Sequence, residues 1–81
     1  MVIKVRLFAI LKEMLGAEEI ALELQEGNSC KDLLTHLEQR GVEMAAVLHH
    51  SMVAVNGCYA DWGTSIHADD EVAILPPVSG G

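Results

Sequence analysis

A chain of 81 residues that is 51% hydrophobic has room for one small core and is too apolar for disorder. Its net charge of -7, from 12 acidic against 5 basic residues, excludes the basic patches that phosphate backbones require, so no nucleic acid is expected as a partner. Steering toward a basic protein surface and plain solvation both account for the acidity at this stage.

In chain order, Val2 to Phe8 alternates, with Ile3, Val5 and Leu7 on one face and Lys4 and Arg6 on the other. That is the pattern of a half-buried strand. Ala9 to Leu15 pairs Ile10 with Met14 and Leu11 with Leu15 at helical spacing and stops at Gly16. Glu18 to Leu24 alternates again, which predicts a strand antiparallel to the first. After the turn Glu26-Gly27-Asn28, Ser29 is a suitable N-cap and Asp32 supports it. Cys30, Leu33, Leu34 and Leu37 then form one apolar helical face, with Gly41 as the stop. Val42 to Ser51 reads only as a short helical turn. Met52 to Val55 predicts a strand, Asn56-Gly57 a tight hairpin turn and Cys58 to Ala60 a short return strand. Asp61 to Asp70 is polar and irregular. Glu71 to Leu75 forms the last strand, ended by Pro76-Pro77, whose second proline has no N–H to offer a ladder.

One amphipathic helix over one face of a mixed sheet is an α+β arrangement in two layers. The element order fits a β-grasp fold, with the first and last strands adjacent at the centre. The domain is placed at residues 1–75, followed by a flexible tail at 76–81. Pro76-Pro77-Val78-Ser79-Gly80-Gly81 reads as an extended arm that the prolines stiffen, and six extended residues reach at most ~20 Å. Gly80 and Gly81, without side chains, suit a narrow channel. A carboxylate at Gly81 is a poor electrophile, so chemistry there requires prior activation. A frayed terminus is the plain alternative for a bare Gly-Gly.

The run from Asp70 through Glu71-Val72-Ala73-Ile74-Leu75 to the two glycines resembles the C-terminal signature of molybdopterin synthase small subunits. Val5-Arg6-Leu7-Phe8-Ala9 with Leu11-Lys12-Glu13, and Ala54-Val55-Asn56-Gly57, resemble other parts of that family. Asp69 stands where the family usually has glycine, and aspartate is among the residues that tolerate left-handed backbone. The resemblance implies a ubiquitin-like β-grasp sulfur carrier, not catalytic alone, acting as the sulfur-donating part of a transferase. It further implies adenylation of Gly81 by a ubiquitin-activating-type adenylyltransferase that uses ATP, and conversion to a thiocarboxylate with sulfur from a sulfurtransferase or cysteine desulfurase. Insertion of the tail into the large subunit of a heterotetramer follows, and sulfur is donated to cyclic pyranopterin monophosphate to build the molybdopterin dithiolene. Gly80 would thread the channel, and Pro76, Pro77, Val78 and Ser79 would contact the partner. No cofactor is expected to be bound. A carrier for thiazole synthesis or tRNA thiolation, and a ubiquitin-like modifier joined to lysines through Gly81, are the alternatives.

Phe8 falls on the strand face opposite Ile3, Val5 and Leu7, so both a partner contact and burial at the strand's end are open. Cys30 is read as core and Cys58 as possible surface, with neither a CxxC nor a metal-ligand spacing between them. A reduced, cytoplasmic setting follows. His49, His50 and His67 match no familiar ligand set, so no metal is expected. A signal-type segment and a membrane-length apolar run are both absent from the pattern, so no membrane is expected either.

Overall fold

The alternation at the start of the chain becomes strand β1 (Val2–Leu7) in the computed structural model, which describes residues 1–77. The further elements are α1 (Ala9–Leu15), β2 (Glu19–Glu23), α2 (Cys30–Glu38), α3 (Val42–His49), β3 (Met52–Val55), β4 (Cys58–Ala60) and β5 (Glu71–Leu75). The strands form a five-stranded sheet in the order β2-β1-β5-β3-β4. β1 and β5 lie side by side at its centre and run parallel, with Val5 opposite Val72 and Leu7 opposite Ile74. The other neighbours are antiparallel. This is the expected β-grasp arrangement, and it needs the crossover that the helices supply, because parallel neighbours cannot be joined by a hairpin.

Ile3, Val5, Leu7, Val53, Val72 and Ile74 point from the sheet into the core, where Leu11, Leu33, Leu37, Met44 and Leu48 meet them from the helices. At α2 the Asp32 carboxylate accepts from the Ser29 N–H at 2.7 Å and from its hydroxyl at 3.1 Å, so the first turn is closed by a capping box. Two expectations are corrected here. Val42 to His49 is a full helix, not a turn. Gly41, expected to stop α2, serves both helices: its N–H donates to the Glu38 carbonyl at 3.2 Å at the end of α2, and at φ 145 it is the N-cap of α3. Ile66, in the stretch read only as polar and irregular, is fully buried.

The hairpin between β3 and β4 turns on Asn56 (φ 52) and Gly57 (φ 83), both left-handed as a type I′ turn demands. Asn56 also ties that turn to the head of β5. Its Nδ2 donates to Asp70 Oδ1 at 2.9 Å, its Oδ1 accepts from the Glu71 N–H at 2.9 Å, and its own N–H donates to the Glu71 carbonyl at 2.7 Å. Asp69 sits at φ 71, the left-handed backbone that glycine takes most readily and aspartate tolerates.

Candidate functional site

With every helix on one side, the opposite face of the sheet is left to side chains at alternate positions. Register aligns one row across all five strands: Tyr59 on β4, Ala54 on β3, Ala73 on β5, Arg6 on β1 and Glu19 on β2. The two alanines in the middle leave a trough of about 240 Å³. Tyr59, Phe8, Gly57 and Leu75 complete its lining with them, and none of the six is charged. Phe8 is 39% and Tyr59 70% exposed. Met52, also exposed, is the register partner of Leu75.

Phe8 is therefore on the outer face, and the structure brings it together with Leu75, the last strand residue before Pro76 and Pro77. Pro76 is half-buried and Pro77 exposed, and neither lines the trough. Val78, Ser79, Gly80 and Gly81, which carry the rest of the predicted site, lie outside the described residues. The Arg6 guanidinium stands over the Phe8 ring at 5.8 Å, within reach of the ring quadrupole. Tyr59, Ala54, Ala73 and Arg6 were not picked out by sequence reasoning. Alternation puts Arg6 on the outer face, but the trough exists only through the register of β5 between β1 and β3.

The titratable groups serve architecture more than chemistry. The Asp70 carboxyl is held below the ordinary carboxylate range by the His67 backbone N–H, 2.8 Å away, and then by the Asn56 amide. Cys30 is fully buried in the core, and burial pushes its thiol up, away from the reactive thiolate. Cys58 is exposed. His49 faces Glu38 at 3.5 Å, and no group able to hold a metal occurs among the described residues. A hollow of about 600 Å³ between the Glu23–Asn28 segment and α2 is larger than the trough. Its walls, which include Glu23, Glu26 and Asp32, converge on no common point of chemistry.

A mixed sheet with β1 and β5 parallel at its centre and one helical layer defines a ubiquitin-like β-grasp domain. The chain belongs to the ThiS family, whose model matches residues 5–81, and its curated relatives are molybdopterin synthase sulfur carrier subunits. The relative from Dictyostelium discoideum is 37% identical over 81 residues, covering 96% of this chain and 94% of that one. Among solved structures, the protein–protein complex of subunits 1 and 2 of the molybdopterin-converting factor from Helicobacter pylori includes a chain 28% identical, with TM-score 0.71 and complete coverage of both chains. The small archaeal modifier protein 1 from Methanosarcina acetivorans is 28% identical at TM-score 0.81, covering 99% of this chain and 96% of that one. No helix among the described residues is long and apolar enough to cross a membrane.

Proposed function

We propose that the protein is the sulfur carrier subunit of a molybdopterin synthase, with Gly81 as the reacting residue. The observation that carries this reading is the agreement between the matched family, which extends through residue 81, and the curated relatives that share the sulfur carrier name over nearly the whole chain. A ubiquitin-activating-type adenylyltransferase joins the Gly81 carboxylate to the AMP part of ATP and releases pyrophosphate. Persulfide sulfur from a sulfurtransferase or cysteine desulfurase then attacks the adenylate and displaces AMP, and a thiol reductant cleaves the resulting acyl disulfide by two electrons, leaving a thiocarboxylate. The tail enters the large subunit, where the sulfur passes to cyclic pyranopterin monophosphate and the carboxylate is regenerated. Two carriers per dithiolene suit a heterotetramer, and the setting is cytoplasmic. The trough at the root of the tail, with Phe8 in its wall, is the apolar surface that docks the large subunit, while Pro76 to Ser79 span the distance to the reacting centre.

The test is the length of the tail. Removing Gly81 shortens the reach by about 3.5 Å, whereas reaction geometry tolerates roughly 1 Å of misplacement before rates fall by about a hundredfold. The deletion is expected to abolish product formation with the large subunit while leaving the thermal unfolding curve and subunit binding unchanged, and one residue added after Gly81 is expected to do the same. Gly80→Ala slows the reaction without altering the fold. Product at the normal rate from the Gly81 deletion would remove the tail from the mechanism.

A second reading, a modifier conjugated to lysines through Gly81, is favoured by the likeness to small archaeal modifier protein 1. It shares the adenylation step and differs in the acceptor. Gly81 in amide linkage to a lysine would support it.

A further inference from the structure

The trough explains how an apolar side chain could be seated near the tail, but not what fixes the partner's orientation. We propose that Arg6 does this, by meeting a carboxylate on the partner at the edge of the trough, so that the fitting surface is an apolar side chain flanked by an acidic one. The inference rests on the docking role proposed above and adds the chemistry of the surface that docks.

Arg6 is one of only 5 basic residues against 12 acidic ones. It is exposed on the open face, one strand from Ala73 on the trough floor, a spacing of about 4.8 Å. Glu19 is its register neighbour on β2 and Glu18, whose ion pair is with Lys12, also feels its charge, yet no carboxylate among the described residues is within ion-pair distance of Arg6. The ion pairs there are Lys12–Glu18 and Glu38–His49. Its guanidinium instead stands over Phe8, which lines the trough, and Arg6 is exposed, so its planar fork can meet a carboxylate from outside the chain. The six trough residues carry no charge, so a carboxylate seated over the trough itself would be desolvated without a partner, at a cost. Beside Arg6 it is compensated. A partner turned the wrong way would bury the guanidinium against apolar or basic surface, so the same residue rejects misaligned docking.

The sign of the effect separates this role from general steering. If the acidic chain were only drawn to a basic partner, making it more acidic would tighten binding. Arg6→Glu and Lys31→Glu both lower the net charge by two, but Lys31 is on α2, in the helical layer and away from the open face. Binding of the full chain to its large synthase subunit would be measured by titration calorimetry at low and moderate salt, with thermal unfolding recorded for each variant. The expected result is that Arg6→Glu weakens binding about tenfold or more, as loss of a close interfacial charge pair does, and that Arg6→Gln weakens it less. Lys31→Glu is expected to leave binding unchanged or tighten it. Equal shifts for Arg6→Glu and Lys31→Glu, in either direction, would overturn the assignment while leaving the carrier function standing. A chain that forms dimers dissolved by Arg6→Glu would assign the face to a second copy and overturn it as well. If the unaltered chain fails to bind the large subunit, the proposed function falls, and this inference with it.

Discussion

Hydrogen bonds from Asn56, His67 and Glu71 converge on the junction that starts β5. Asp70 is the charged member of that junction, and its ionised form is the one the fold holds. Because its carboxyl is depressed in the folded chain relative to 3.8, the stabilisation it contributes is present above the unfolded value. It is lost as pH falls through the lower folded value. Asp70→Asn is therefore expected to lower the melting temperature at neutral pH by a small amount, since the site is open to solvent. The gap between variant and parent should close in strong acid, where both side chains are neutral. Melting curves across that range check this, and a gap that stays constant with pH would contradict it. The chemistry of this residue was legible in the sequence only as part of a motif. Its hydrogen-bond partner Asn56 is 14 positions away, and nothing local announces the pairing.

At the scale of elements, legibility followed periodicity. The capping pair and the spacing of Cys30, Leu33 and Leu37 made α2 readable, and those three residues are fully buried. In α3 the apolar residues are not gathered on one face: Val42 is 87% exposed while Met44 and Leu48 are buried, so no stripe marks the helix. Ile66 was invisible for a related reason, standing alone between the polar Ser65 and His67, with an N–H that donates to the Asn28 carbonyl at 2.8 Å. The two helices therefore respond differently to substitution. Leu37→Ala opens a cavity between α2 and the sheet and is expected to cost about 3 kcal/mol, a large part of the stability of so small a domain. Val42→Ser, at an exposed position, should stay within about 0.5 kcal/mol. Urea unfolding of both variants measures the difference, and similar losses at the two sites would show that the core is not organised around α2.

Over the whole molecule, the helical layer closes one face of the sheet, and the other keeps an uncharged trough beside the strand that leads into the tail. The placement of β5 in the centre, between β1 and β3, anchors the tail's root on both sides by ladder hydrogen bonds. If Gly81 carries sulfur as proposed, a rigid base at Leu75 favours its delivery. Alternation and Asn56-Gly57 are local signals, so the strands and their hairpin were legible, and the expected pairing of the first and last strands is the one observed. The sequence pattern could not supply the trough, which depends on three strands coming into register at Ala54, Ala73 and Tyr59. The central claim is that sulfur is carried at Gly81, and its most direct measurement is the mass of the chain after incubation with ATP, its activating enzyme and a sulfur source, followed by fragmentation of the C-terminal peptide. The account predicts one oxygen of the Gly81 carboxylate replaced by sulfur, and reversal of that change when the large subunit and cyclic pyranopterin monophosphate are added. An unchanged Gly81, or sulfur found on Cys58 instead, would contradict it.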